Sequence, residues 1–210
     1  MDLNTHRWGD GDTRVLLIHG ICGSGATWWE IAAGIPNATV VAPDLRGHGE
    51  SPRAADYSAA GFAEDLGTGW DLVIGHSLGG LIAVHAAQDP SFARRLILLD
   101  PVLELEDEAA VTAAVVAEAN GAVEVEPHWH PEHQRLKRVA ARQADPEAVR
   151  LTMEHNSPWT HAHLLDTLAA PALVFLGPMC RSAPGATTRS VPGTGHSLHR
   201  DRPELVLESI

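Results

Sequence analysis

Short apolar runs alternate with helical patterns along the first hundred residues. Four continuous apolar runs have the length and β-branched content of strands buried on both faces of a parallel sheet, at residues 14–18, 38–42, 72–74 and 95–99. Residues 3–8 have the pattern of an edge strand. Apolar or alanine-rich positions at helical spacing lie between the runs, at residues 28–32, 58–66 and 81–85. This alternation predicts an α/β fold with a mostly parallel sheet covered on both faces.

The alternation is interrupted between residues 102 and 167, where only helical patterns occur. Strand patterns then return at residues 171–176 and 188–191, followed by a last helix at 203–210. Because ligands bind at the carboxyl ends of strands in such sheets, a segment that leaves and rejoins that edge is expected to lie over the site. The predicted organisation is a core of residues 1–101 and 168–210 with a helical cap of residues 102–167.

Composition narrows the possible partners. The 210 residues suffice for one sizeable core, and 44% hydrophobic with 20% charged residues is typical of a globular protein. A net charge of −12 argues against nucleic acid and anionic membrane as partners, and it favours neutral substrates because an acidic protein does not attract anions from afar. The sequence indicates no oligomeric state.

Cysteine usage and the beginning of the sequence bear on location. Cys22 and Cys180 are far apart in sequence, so neither a disulfide framework nor a zinc ribbon is available, and a buried, inert thiol is expected. The first ten residues are polar, and no uninterrupted apolar stretch reaches the length that spans a membrane. A cytoplasmic protein is the expectation from these features.

Chemistry is concentrated in the stretch Gly-His-Ser-Leu-Gly-Gly at residues 75–80. It follows an apolar strand pattern and precedes a helical pattern, the context in which a tight turn lifts a serine hydroxyl above the end of a sheet. Ser77 is therefore a candidate nucleophile, and the same turn directs the Leu78 amide towards the reacting carbonyl as half of an oxyanion hole. The alternative is a glycine-rich turn with a helix-capping serine.

Four motifs at the ends of predicted strands occur in a fixed order. They are His-Gly at 19–20, Pro-Asp-Leu-Arg-Gly-His-Gly-Glu-Ser at 43–51, the Ser77 turn, and Pro-Gly-Thr-Gly-His at 192–196. The chain thereby resembles the α/β-hydrolase superfamily, in particular its compact serine esterases and lactonases with a small helical cap inserted after the sixth strand. That resemblance implies Ser77 as nucleophile, His196 as general base, the Ile21 and Leu78 amides as oxyanion hole, and no cofactor. By resemblance, Asp44, Arg46 and His48 stabilise the turn beneath the site, and His19 is expected to brace its loop and not to carry a proton.

The family also carries a carboxylate that supports the general base, and this chain departs from the family pattern at that residue. Most relatives carry it shortly after the strand at residues 173–176, but this sequence has Gly-Pro-Met-Cys there, and the neutral thiol of Cys180 cannot stabilise an imidazolium. Asp100, at the end of the preceding strand where some relatives carry their acid, is the predicted substitute. In other relatives an aspartate here is structural, so Glu104, Glu106 and the absence of any acid remain alternatives.

Several other side chains are candidates for the pocket. Four residues are predicted to bind substrate: Trp28, His76, Trp129 and Trp159. Buried aromatic packing is the competing interpretation for each tryptophan. The histidines between residues 128 and 163 suggest a metal, but no carboxylate spacing matches a known motif, so no metal site is predicted and a polar cap surface is expected instead.

These features predict a serine hydrolase that cleaves a small carboxylic ester or lactone through an acyl-enzyme. The same residues would also serve cofactor-free perhydrolysis, carbon–carbon bond hydrolysis or acyl transfer. A non-catalytic small-molecule-binding relative is the alternative outside enzymes, because the expected acid is missing near Cys180.

Overall fold

A seven-stranded sheet forms the centre of the protein. The computed structural model describes residues 1–210. The strands are, in chain order, β1 (Thr5–Trp8), β2 (Thr13–Ile18), β3 (Ala38–Pro43), β4 (Leu72–His76), β5 (Leu96–Leu99), β6 (Ala172–Leu176) and β7 (Thr187–Ser190). Their spatial order is β1-β3-β2-β4-β5-β6-β7, with β1 antiparallel to β3 and every other pair parallel. The predicted mostly parallel α/β sheet is confirmed.

Eight α-helices accompany the sheet, and they include helices that cover both of its faces. They are α1 (Trp29–Gly34), α2 (Ala59–Ala63), α3 (Leu78–Ala86), α4 (Glu108–Ala119), α5 (Pro131–Gln143), α6 (Pro146–His155), α7 (Leu198–Asp201) and α8 (Pro203–Leu207). Short 3-10 helices lie at Gly25–Trp28 and Ala162–Thr167. No helix is both long enough and apolar enough to cross a membrane.

The central strand β4 shows how the sheet is buried on both sides. Successive side chains of a strand point to opposite faces, and Val73 joins the larger apolar cluster under α2 and α3. Its neighbours Leu72 and Ile74 join the second cluster, which packs under α1 and α8. All five residues of β4 are buried, as expected where helices cover both faces.

The helical segment expected to form a cap lies between β5 and β6 and contains α4, α5 and α6. It follows the fifth strand of this chain; the predicted position after a sixth strand is wrong, because only five strands precede it here. In each of these three helices, a side chain accepts a hydrogen bond from a free amide of the first turn. The Asp107 carboxylate accepts from the Ala110 amide, the His130 ring from Glu132 and the Asp145 carboxylate from Glu147.

The connection between β6 and β7 contains no helix. Residues 177–186 instead form turns, and the Gly177 amide donates to the Cys180 carbonyl at 3.1 Å. Ten residues are few for a parallel crossover, which usually carries a helix. The first part of this connection lies at the carboxyl end of the sheet, where the Met179 and Cys180 amides contact Asp100, and the rest returns to the start of β7.

Candidate active site

Ser77 lies at the sharp turn between β4 and α3. Its φ of 55° and ψ of −118° fall in a backbone region that residues other than glycine rarely adopt. Its amide donates a hydrogen bond to the Leu99 carbonyl at 3.1 Å. The turn requires glycine at position 79, where a Cβ would lie 2.2 Å from the carbonyl oxygen of Ile18. The strained turn therefore fixes the Ser77 side chain at the carboxyl edge of the sheet.

Two unused backbone amides lie beside Ser77. The amides of Ile21 and Leu78 donate no hydrogen bond to any protein group, and both residues line the cavity that contains Ser77. Leu78 is the first residue of α3, where the helix leaves its amides unpaired and the helix dipole favours negative charge. Two free amide donors of this kind can stabilise a negatively charged oxygen.

Asp100 follows β5 and is almost fully buried, with 2% of its surface exposed. Its Oδ1 accepts hydrogen bonds from the Cys180 amide at 2.7 Å and the Met179 amide at 3.1 Å, and its Oδ2 lies 2.6 Å from Nδ1 of His196. A Cβ at Gly177 would approach the Asp100 carboxyl carbon to 2.5 Å, so the loop needs glycine there. The loop that lacks an acid thus supplies backbone donors to Asp100.

The ring of His196 is directed by its contact with Asp100. Because Nδ1 faces the carboxylate, Nε2 is left free to exchange a proton. His196 and Ser77 line the same cavity, but no hydrogen bond within 3.5 Å joins them in this structure. Catalytic hydrogen bonds are often long before substrate binds, so this geometry is compatible with proton transfer.

His76 supports the loop that carries His196. Its Nε2 donates to the His196 carbonyl at 2.9 Å, and its ring lies between those of His196 and His199, with centroids 4.7 Å and 4.6 Å away. Burial holds the pKa of His76 and of His199 well below their ordinary value. Both are neutral at physiological pH, so neither places a positive charge beside His196.

A cavity of about 270 Å³ opens in front of Ser77. This volume is small for a ligand site. Apolar side chains from the sheet edge and from the segment of residues 102–167 supply much of its wall, namely Ile21, Leu78, Val102, Leu105, Val111, Val115, Met153, Trp159 and Met179. Besides histidines, three ionisable side chains line it: Glu118, Lys137 and Arg200.

The predicted substrate-binding residues divide into two pairs. His76 and Trp159 line the cavity. Trp28 does not; it is 1% exposed and packs against the His199 ring at 4.6 Å within the core under α1. Trp129 also lies outside the cavity lining, where its Nε1 donates to Asp201 at 2.7 Å. For both tryptophans the predicted substrate contact is wrong in this structure, because each ring is engaged in packing.

The other candidate acids lie apart from His196. Glu104 and Glu106 are exposed, and neither forms a hydrogen bond or an ion pair with that ring. Cys180 contributes its amide to Asp100 and not its thiol, whose pKa burial and the neighbouring Asp100 raise to about 11. Asp100 is the only carboxylate in contact with His196.

Loop residues beneath the site are held by buried polar contacts. His19 accepts from the Leu45 amide at 2.9 Å and donates to the Gly20 carbonyl at 2.7 Å, and burial lowers its pKa to about 3. Asp44 accepts from the Gly25 amide at 2.7 Å and the Glu50 amide at 3.0 Å. These contacts join the loops that follow β2 and β3.

The histidines of residues 128–163 do not converge on a metal-binding arrangement, since no group of three or more His, Cys, Asp or Glu side chains is placed to hold an ion. His133 lies 2.7 Å from Glu30, and His128 lies 3.0 Å from Asp201. Each contact joins residues 102–167 to the sheet-bearing part of the chain. Burial nevertheless outweighs the Glu30 contact and lowers the pKa of His133.

Sequence reasoning missed the three charged residues of the cavity wall. One signal was present for Arg200, which lies four residues after His196 in a segment that folds as α7. His196 precedes α7, so closeness in the chain was the signal that a cation could lie near this histidine. Glu118 and Lys137 lie on separate helices, α4 and α5, and no spacing in the sequence indicates that they meet.

Comparison with known proteins gives a family match over most of the chain. A family model described as the alpha/beta hydrolase fold matches residues 13–204. Lipase LipV of Mycobacterium tuberculosis is 40% identical over 115 residues, which are 50% of this chain and 44% of LipV. The match therefore spans less than half of that relative's own length.

Two further proteins are similar over nearly the whole chain. Esterase Rv0045c of Mycobacterium tuberculosis is 26% identical over 254 residues, covering 97% of this chain and 83% of that protein. Among solved structures, an N-formylmaleamic acid deformylase from Pseudomonas putida S16 superposes with a TM-score of 0.80 at 24% identity, covering 98% of this chain and 94% of that one. At this identity the superposition shows the shared fold.

Proposed function

The chain belongs to the α/β-hydrolase family, and on that premise we propose that it is a serine hydrolase of small carboxylic esters or lactones. The observation that carries the proposal is the 2.6 Å contact between His196 Nδ1 and Asp100 Oδ2, at a cavity that Ser77 also lines. The names lipase and esterase of two similar proteins support the same reaction class.

In the proposed first half-reaction, Ser77 Oγ attacks the substrate carbonyl while Nε2 of His196 takes its proton. The amides of Ile21 and Leu78 stabilise the negative oxygen of the tetrahedral intermediate. Asp100 stabilises the imidazolium and keeps Nδ1 protonated. His196 then returns the proton to the alcohol as the carbon–oxygen bond breaks, which leaves an acyl group on Ser77.

In the second half-reaction a water molecule takes the place of the alcohol. Nε2 of His196 removes a proton from this water as it attacks the acyl-enzyme, and the same two amides hold the second oxyanion. Collapse of the intermediate returns the proton to Ser77 and releases the carboxylic acid. No cofactor takes part in either half-reaction.

Residues 102–167 are proposed to act as the cap that encloses the substrate over a core of residues 1–101 and 168–210. Val111 and Val115 of α4 and Met153 of α6 line the cavity opposite the sheet edge. A cavity of about 270 Å³ with such walls favours a short acyl or lactone moiety over a long lipid chain. The substrate is accordingly proposed to be a small molecule.

The contact between Asp100 and His196 bears on the alternative of a non-catalytic binding protein. That alternative rests on the absence of an acid near Cys180, and Asp100 supplies a carboxylate to the same histidine. The arrangement therefore favours an enzyme.

Turnover of short-chain 4-nitrophenyl esters tests the proposal. We expect a burst of nitrophenol equal to the enzyme concentration, followed by steady hydrolysis, because an acyl-enzyme accumulates. Ser77→Ala should lower kcat by at least about 10³-fold. Ser197→Ala removes the other serine hydroxyl of the cavity and should retain the burst. Equal turnover by the parent and Ser77→Ala would contradict the proposal.

A further inference from the structure

The wall of the cavity contains a cation that has no partner. Arg200, on α7, is 8% exposed, and its guanidinium forms no hydrogen bond and no ion pair within 4.0 Å. Its Nε is completely buried without a hydrogen-bond acceptor. Buried guanidinium groups are normally paired, because an uncompensated buried charge costs several kcal/mol. An unpaired arginine facing a cavity therefore indicates that something else supplies the acceptor.

The neighbouring carboxylates do not contact Arg200. Glu118 is already bound by Lys137, the one lysine of the chain, and both line the same cavity. Asp201 accepts from the Trp129 ring, the His128 ring and the Gly195 amide. Both carboxylates attract Arg200 electrostatically, but neither lies within 4.0 Å of its guanidinium, so the N–H groups of Arg200 are left without an acceptor.

Arg200 is held in place although its charge is unpaired. Its guanidinium carbon lies 5.1 Å from the centre of the Trp129 ring, which is itself fixed by a 2.7 Å hydrogen bond to Asp201. Burial lowers the pKa of Arg200 to about 10, so the group remains protonated at neutral pH. Stacking on an aromatic ring leaves the edge of the guanidinium fork available for an anion.

We propose that the substrate of the Ser77 site carries a carboxylate, which Arg200 binds while the ester or lactone carbonyl lies against Ser77. This inference rests on the proposed function, because it names the substrate class of the same site. A guanidinium can donate two parallel hydrogen bonds to one carboxylate. Because the cavity is small, a carboxylate bound by Arg200 would lie close to the reacting carbonyl of the same substrate.

The proposal reverses the expectation of a neutral substrate that follows from the net charge of −12. The net charge of a protein affects how often a charged substrate reaches it by diffusion, and salt screens this effect beyond a Debye length of about 10 Å. A buried cation acts at hydrogen-bond distance, where screening by salt is weak. The local charge of the cavity therefore decides which substrate is held.

A matched pair of esters tests the inference. Monomethyl glutarate carries a terminal carboxylate, and methyl glutaramate has the same shape with a neutral carboxamide. The readout is the release of acid or methanol. The kcat/KM of the parent should be about 10- to 100-fold higher for monomethyl glutarate than for methyl glutaramate, which corresponds to the free energy of one charge-assisted hydrogen bond. Arg200→Met should bring this ratio close to one, mainly by raising the KM for the anionic ester.

Two further variants separate recognition from packing. Arg202→Met removes a neighbouring, half-exposed arginine that is paired with Glu204, and it should keep the parental ratio. Arg200→Lys keeps the charge and the aliphatic stem but not the fork, so it should retain a reduced preference. If Arg200→Met and Arg200→Lys lower the rates for both esters equally, the role of Arg200 is packing alone and the inference is overturned.

A binding measurement distinguishes failure of the inference from failure of the proposed function. Calorimetric titration of monomethyl glutarate into Ser77→Ala should show binding that weakens at least tenfold in Ser77→Ala/Arg200→Met. Such binding without turnover in the parent would uphold the carboxylate site and overturn the hydrolase. Turnover of both esters at equal rates in the parent, with equal binding in the two variants, would uphold the hydrolase and overturn the carboxylate site.

Discussion

Replacement of Asp100 by asparagine should disable His196 while leaving the fold intact. Oδ1 of Asp100 accepts from the Met179 and Cys180 amides, so the asparagine must keep its oxygen on that side. Its NH₂ group then takes the place of Oδ2, 2.6 Å from His196 Nδ1, where it can only donate. His196 must place its own proton on Nε2, the atom that should accept the proton of Ser77.

The expected loss follows from this change of tautomer. In the best-studied serine triad, the same substitution lowers kcat about 10⁴-fold, equivalent to about 5 kcal/mol of transition-state stabilisation. KM for a short nitrophenyl ester should change little, because Asp100 is buried beneath His196 and is not part of the cavity wall. Steady-state kinetics give kcat and KM, and thermal unfolding checks the fold.

The controls for Asp100→Asn are the other candidate acids. Glu104→Gln and Glu106→Gln change exposed side chains that do not contact His196, so both should retain parental kcat within a few-fold. A folded Asp100→Asn variant with kcat within tenfold of the parent would refute the reasoning. A large loss of activity in Glu104→Gln or Glu106→Gln would identify the substituted glutamate as the acid in place of Asp100.

Three further predictions follow from the geometry. Gly177→Ala places a Cβ 2.5 Å from the Asp100 carboxyl carbon and should lower kcat about 100-fold through misplacement of that group; unchanged kcat would contradict the contact. Ser77→Gly should be about 1 kcal/mol more stable to urea than Ser77→Ala, since only glycine tolerates the φ of 55° without strain, and a less stable Ser77→Gly would disprove strain at the turn. Burial lowers the pKa of His19 to about 3 and that of His76 well below its ordinary value of 6.5, so the unfolded chain binds protons more readily at these positions. Stability should therefore be complete above about pH 7 and fall as the pH drops from 6.5 towards 3, and a urea midpoint that stays constant between pH 7 and pH 4 would contradict this.

The sheet and the Ser77 turn were predictable from local sequence because each depends on neighbouring residues. Apolar runs such as residues 14–18 and 95–99 correspond to β2 and β5, since burial on both faces demands continuous hydrophobicity. The turn at Ser77 needs small residues before and after the serine, and Gly75 and Gly79 stand there in the sequence. The resemblance implied a sixth strand before residues 102–167, whereas five strands precede them in this chain.

Features that depend on distant contacts were not predictable. Trp28 follows the loop after β2 in sequence, but its ring packs into the core against His199, and no local pattern indicates that direction. The fit of Asp100 to its surroundings depends on two amides about 80 residues further along the chain. Arg200 stands out only after folding, when its lack of an acceptor can be seen.

Labelling with a fluorophosphonate, followed by mass spectrometry of the modified peptide, tests the central claim most directly. The reagent phosphonylates a serine only where a base activates the hydroxyl and donors stabilise the developing oxyanion. The account predicts a single adduct on Ser77 that is lost in His196→Ala and strongly reduced in Asp100→Asn. A folded parent protein that takes no label, or that is labelled on another residue with Ser77 unmodified, would contradict it.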